Sequence, residues 1–294
     1  MQAHPSTENR VAGILWMLAT MFCFIALDAV MKYLLESYPL VQVTWARFFF
    51  ATLVAIVICG RRLPSLMVSK TPGLQSARSV LLMTTTGLFN AGIMTVPLAT
   101  ATTIMFLNPL MVTVLSIPML GEKVGVRRWS GVVVGFLGAI VVVRPWQADF
   151  GGIGHGVLFL LLAALFNANY QILTRKVRAD DPLTSLLFTA TAGAIVTSFM
   201  VPWFWAWPTA FAWMLFAACG LFGGLGHYCL IKAMTVAQAS AVAPFSYSSI
   251  IWATLFGLVI WHEFPDLWTW AGAALIISSG LYVFHRERVN HANS

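Results

Sequence analysis

Two stretches decide the fold: GEKVGVRRWSG, from Gly121 to Gly131, and HEFPDLWTWAG, from His262 to Gly272. Each contains a Glu, six residues, a Trp, one residue and a Gly, and the two copies stand 141 residues apart. A long apolar stretch precedes each Glu and another follows each Trp. Working outward, Leu18, Ala19, Phe22 and Lys32 recur 144 residues later as Leu162, Ala163, Phe166 and Lys176. Each half therefore reads as one copy of a membrane-embedded unit, and two such units in one chain are the usual frame of a carrier.

Composition supports a lipid-solvated chain. Charged residues make up 9% of the 294, against roughly 25% in soluble domains, and mean hydropathy is +0.83. The net charge of +7 lies in short loops between apolar spans, which points to an anionic leaflet and excludes a nucleic-acid partner. Cys23, Cys59, Cys219 and Cys229 fall inside apolar spans without metal-like spacing, so they read as small buried residues, and no metal or cofactor is expected. The apolar run after Arg10 exceeds a signal-peptide core and reads as a retained first helix.

A spanning helix needs about 20 mostly apolar residues. Ten windows qualify, near 11–34, 40–59, 79–97, 99–119, 126–143, 151–174, 182–201, 209–231, 238–261 and 267–284. With the N-terminus in the cytoplasm, fourteen Lys and Arg side chains fall in inner loops, Arg78 among them, and two, Lys32 and Arg144, fall outside. That bias fixes both termini inside. Two five-helix copies in one chain have opposite orientations, so the repeat is inverted. The predicted fold is an all-α membrane protein of ten transmembrane helices in two inverted five-helix repeats. Residues 1–10 and 286–294 are cytoplasmic tails, and 11–145 and 151–285 are the two repeats.

Polar groups within the hydrocarbon are costly and mark functional candidates. Asp28 and Arg47 lie at matching depth on spans one and two, an expected charge pair or coupling site; a strut between helices, or an Asp28–Lys32 pair, is the structural alternative. Asn108-Pro109 breaks the hydrogen-bond ladder near the middle of span four and offers unsatisfied polar groups there. On span six, Asn167, Tyr170 and Gln171 share one face. His227 follows a Gly-rich packing run, Gly220 to Gly226, on span eight. Tyr247 and Trp252 lie beyond Pro244 on span nine, Asn90 is on span three, and Trp16 is on span one. Each of these residues either lines the substrate path or ties two helices together. Trp203, Trp205 and Trp207 read as an interface belt. Glu122 and Glu263 lack catalytic partners and read as loop organisers, and no phosphate-binding loop is present.

The stretch PLATATTIMFLNPLMVTVLSIPMLGEKVGVRRWSGVVVGFLGAIVVVRP, from Pro97 to Pro145, resembles the first-half signature of the drug/metabolite transporter superfamily, EamA-type branch. The run from Ala239 to Pro244, with Tyr247 and Glu263 beyond it, is similar to the second-half pattern, and Arg47-Phe48 also fits. The resemblance implies a central cavity between the halves and gating by their relative movement. It further implies a secondary transporter in the plasma (bacterial inner) membrane whose partners are a small-molecule substrate and the bilayer. An amino acid carried outward is the expected substrate, with another metabolite, nucleoside or drug as the alternative. Proton or other ion coupling, and a monomeric or homodimeric state, accompany that expectation. An intramembrane enzyme would need a clustered nucleophile or metal site, and a scaffold would gain nothing from inverted halves.

Overall fold

The structure, a computed structural model, describes residues 9–121, 125–144, 153–177, 180–237 and 239–292. Glu122, Lys123, Asp149 and Arg178 lie outside these. Among the described residues every regular element is helical. In the first repeat these are α1 (Arg10–Leu35), α2 (Leu40–Cys59), the short α3 (Leu63–Leu66), α4 (Pro72–Ile93), α5 (Leu98–Met105), α6 (Asn108–Leu120) and α7 (Val126–Val143). In the second they are α8 (Ile153–Lys176), α9 (Pro182–Met200), α10 (Ala210–Val236), α11 (Ala239–Val242), α12 (Ser249–Trp261) and α13 (Leu267–Ala292), with a 3-10 stretch over Ala243–Ser248. Seven helical stretches are long and apolar enough to cross a membrane, and two shorter apolar helices, Trp129–Val143 and Leu267–Val283, accompany them.

Local chemistry sets the boundaries. Pro39 and Pro97 precede α2 and α5 with extended ψ of 142° each, as a ring-locked φ and a missing N–H favour. Asp181 and Thr209 cap α9 and α10 by accepting from the N–H groups of Leu183 and Ala212. One expectation needs correction. Span three begins at Pro72 rather than near 79, because Gln75, Arg78 and Ser79 find partners inside the protein and do not have to reach water.

The repeat is visible in the backbone. α6 and α12 are both 13 residues long and are displaced by the same 141 residues as the motif. Each ends in a left-handed residue, Gly121 at φ 69° and His262 at φ 56°. Glycine adopts that conformation without strain, whereas His262 carries a cost of about 1–2 kcal/mol. Each of the two helices is also preceded by a break. Phe106 and Leu107 interrupt the first span ahead of Pro109, and the 3-10 stretch around Pro244 interrupts the second.

The repeats interleave. α1 packs on α10, α7 on α13, and α4 on α8 and α9, while α2 sits between α9 and α10. Gly220 and Gly224 let α10 approach α2 until a Cβ would meet Phe50 and Val54, so this run is packing, as its sequence suggests. A rigid displacement of one repeat against the other would break the largest contacts.

Candidate substrate cavity

Exposure marks which helix faces meet lipid. On α1 the exposed stripe is Val11, Leu15, Phe22 and Tyr33. At about 100° per residue, Asp28 projects roughly 120° away from Phe22, yet it remains half-buried rather than sealed. On α2, Arg47 is likewise half-buried and turned away from the exposed stripe of Phe49, Leu53 and Ile56. His227 on α10 faces away from Leu221 and Leu225, and Gln171 on α8 is exposed while facing away from Leu158 and Leu165. Side chains that face inward yet keep solvent contact make these faces the candidate cavity lining.

Asp28 and Arg47 each stand about 10 Å from the ends of their helices. Each acts electrostatically on the other, so the structure brings them to one region. Among the described residues they form no direct ion pair, and neither side chain has a hydrogen-bond partner in the protein. The Arg47 guanidinium carbon stands 5.6 Å from the centre of the Phe48 ring. An acid and a base held close, open to water and unjoined can each take a ligand group. The Asp28–Lys32 alternative fails, because the Lys32 ammonium is bound to Glu263 at 2.8 and 3.0 Å. Glu263 thus ties α12 to α1.

The amides of α6 and α8 form a group of their own. Asn108 Nδ2 donates to Asn167 Oδ1 at 2.8 Å, and Gln171 Nε2 donates to the same oxygen at 3.2 Å. Asn108 Oδ1 is buried without a partner. Tyr170 turns elsewhere, to Arg78 at 2.8 Å. Arg78 is the residue that sequence reading missed: counted as a loop charge, it is 4% exposed and lies inside α4. The early start of α4, signalled by Pro72 at its first position, could have revealed it. His227 Nδ1 lies 2.9 Å from the Gly223 carbonyl, and its ring meets Phe24 edge-on at 5.1 Å.

Other candidates are packing groups or border the break in span nine. Asn90 is fully buried and donates to Thr44 at 3.0 Å, a strut between α4 and α2. Trp16 packs edge-on against Tyr228 near the end of α10. Tyr247 meets Phe106 edge-on at 5.0 Å, joining the two helix breaks. Trp252 packs on Phe22 at 5.1 Å, and its Nε1 and the Ser248 hydroxyl are buried without partners. An apolar groove of about 430 Å³ between α2 and α9, lined by Phe49, Leu53, Ile195 and Phe199 among others, lies on the exposed stripe, apart from these groups.

The cavity differs at its two ends. Toward the face that carries the ends of α1 and α12, here the far face, α5 packs directly against α12. Lys32–Glu263, Arg144–Asp266 and Trp261–Glu36 tie the same end. Burial pushes the Asp266 carboxyl up, but bonds from Thr269 and Arg144 prevail and hold it below the usual carboxylate range. Toward the opposite, basic face, α6 makes no comparable contact with α11 or the 3-10 stretch. Polar ties at that face join α2 and α4 to α9 instead. Arg62 bonds Asp181 at 2.9 Å, and hydrogen bonds from Ser69 and Gln75 hold the Asp180 carboxyl below its ordinary value. Direct packing and ion pairs thus gather at the far face, and the basic face lacks a comparable contact from α6.

The sequence pattern of the EamA-like transporter family matches residues 11–144 and again 154–284. The S-adenosylmethionine uptake transporter of Rickettsia conorii is 29% identical, the match covering 97% of this chain and 96% of that one. The riboflavin transporter of Vibrio cholerae is 27% identical over 95% of each chain. The pseudopaline exporter CntI of Pseudomonas aeruginosa is 25% identical over 90% of this chain and 93% of its own. A solved crystal structure matches with a TM-score of 0.61 at 20% identity, covering 90% of this chain and 95% of the other, and shares the fold.

Proposed function

We propose that this chain, which belongs to the EamA-like transporter family, carries a zwitterionic metabolite with an amino-acid head and an aromatic or heteroaromatic body. The observation that carries this reading is the unjoined pair of Asp28 and Arg47, half-buried and within each other's field. Asp28 meets the cationic group, and the positive field of Arg47 favours the anionic one in the same cavity. Each desolvated ligand charge then finds its complement, which is what makes crossing the hydrocarbon tolerable. The ring of the substrate meets Phe24, Phe106 and Tyr247, and the Asn108–Asn167–Gln171 amides supply hydrogen bonds.

The S-adenosylmethionine uptake transporters among the relatives support the class. S-adenosylmethionine combines an amino-acid head, a sulfonium and a purine, and riboflavin contributes a fused ring. This refines the expectation of an exported amino acid: an aromatic amino acid is the smallest member of the class. The scaffold sets no direction; the gradients of substrate and any coupled ion do. The basic face is cytoplasmic, with both termini there, in keeping with the positive-inside rule. Access alternates as α5–α6 and α11–α12 move at their breaks, since irregular backbone in matching positions of inverted repeats lines the binding site.

The test is a ligand panel on purified protein in detergent, read by thermal stabilisation. S-adenosylmethionine and L-tryptophan should stabilise more than tryptamine or indole-3-propionate, which each lack one charge. Stabilisation by riboflavin with none by either zwitterion would overturn the reading.

A further inference from the structure

Arg78 is a buried cation among neutral groups. Its Nε donates to Thr174 Oγ1 at 2.7 Å, and Nη1 reaches Gln75 Oε1, the Ser185 carbonyl and Thr189 Oγ1, each at 3.0 Å. Nη2 donates to the Tyr170 hydroxyl at 2.8 Å, and the guanidinium carbon stands 4.7 Å from the Tyr170 ring centre. Among the described residues no carboxylate touches it. Asp180 is one side chain removed, accepting from Gln75 Nε2 at 2.9 Å. A buried charge without a counter-charge is heavily penalised, so this cage is electrostatically incomplete.

The incompleteness points in one direction. Nη2 carries two N–H groups, and Tyr170 takes one. The Tyr170 oxygen accepts that bond, which leaves its own O–H to donate. Tyr170 is half-buried and adjacent in sequence to Gln171, which opens to the cavity.

We propose that the Tyr170 hydroxyl, with the remaining Nη2–H of Arg78 beside it, seats the carboxylate of the substrate. This deepens the zwitterion reading and rests on it. The carboxylate supplies the counter-charge that the Arg78 cage lacks and leaves the ammonium group for Asp28. Charge-assisted bonds of this kind are among the strongest a neutral donor and a cation can make with an anion.

Tyr170→Phe tests the seat. It removes one donor and keeps the ring beneath Arg78, so folding should survive. In the thermal-stabilisation assay, the apparent affinity for S-adenosylmethionine should fall about tenfold or more. Affinity for decarboxylated S-adenosylmethionine should stay within about twofold, as the lost hydroxyl faces nothing in that ligand. An equal loss for both ligands, or no loss for either, would overturn the seat. Benzoate against benzyl alcohol separates this failure from a wrong substrate class. If wild type ignores every zwitterion, the substrate reading fails. The seat then survives if benzoate stabilises wild type and not Tyr170→Phe, and falls if the two proteins respond alike.

Discussion

Glu263→Gln should open the far face. The bond it weakens joins the ends of α1 and α12, beside the place where α5 packs on α12. The Lys32 side chain is 8% exposed and that of Glu263 32%. Two bonds of 2.8 and 3.0 Å reach the carboxylate, and the ammonium also stands 4.7 Å from the Trp261 ring centre. Stranding one member of a fully buried pair costs about 3–5 kcal/mol. Solvent at Glu263 lowers this to roughly 2–3 kcal/mol, or ~30- to 150-fold in a conformational equilibrium. A far-face-open state held at ~1% would rise to ~25–60%.

The assay is cysteine reactivity. Ala253 on α12 is fully buried in the main core, so a cysteine there reacts only when the packing around α12 opens. The four native cysteines, all buried, are first replaced by Ala. An impermeant maleimide added from the far-face side should label Ala253→Cys about 25- to 60-fold faster in Glu263→Gln than with the pair intact. Exchanging the partners, Lys32→Glu with Glu263→Lys, should restore slow labelling. Unchanged labelling in Glu263→Gln, in protein that remains folded, would refute the assignment of this pair as a far-face tie.

Asp28→Asn and Arg47→Gln should each abolish transport while folded protein persists. Because the two side chains do not touch, a double-mutant cycle on stability should give a coupling below ~1 kcal/mol, and a larger value would mean they pair directly. Asp180 has a depressed carboxyl pKa, so its contribution to stability is present above the ordinary carboxylate value of about 4 and is lost as pH falls through the folded value. Asp180→Asn should therefore lower the unfolding temperature at neutral pH, with the difference from wild type vanishing in acid. Cysteines at Val68 and Ser37 should be labelled from opposite sides of the membrane; labelling from one side would sink the inverted topology.

The fold was legible because its signals are carried by pattern. The spacing of Glu, Trp and Gly in the two motifs reappears as the equal lengths of α6 and α12 and as the left-handed residues Gly121 and His262 that end them. Asn108, Asn167 and Gln171 could be picked out because lipid cannot satisfy an amide, and the structure joins them. Arg78 was hidden because a basic residue near a helix start reads as a loop charge; its partners come from α8 and α9, some hundred positions away. Asn90 shows the limit of this signal: a buried amide looks alike in sequence whether it meets a ligand or donates, as here, to Thr44. The interleaving of the repeats was equally invisible, since periodicity shows that a helix has an inner face and not which helix it meets.

The central claim is that one cavity, alternately open to each side, moves a zwitterion across the membrane. Counterflow in proteoliposomes tests it most directly. Vesicles loaded with unlabelled S-adenosylmethionine or L-tryptophan should transiently accumulate the same labelled compound above its external level. The accumulation should vanish in Asp28→Asn and without the internal substrate. Absence of counterflow for every zwitterion in a correctly inserted protein, or full counterflow in Asp28→Asn, would contradict the account.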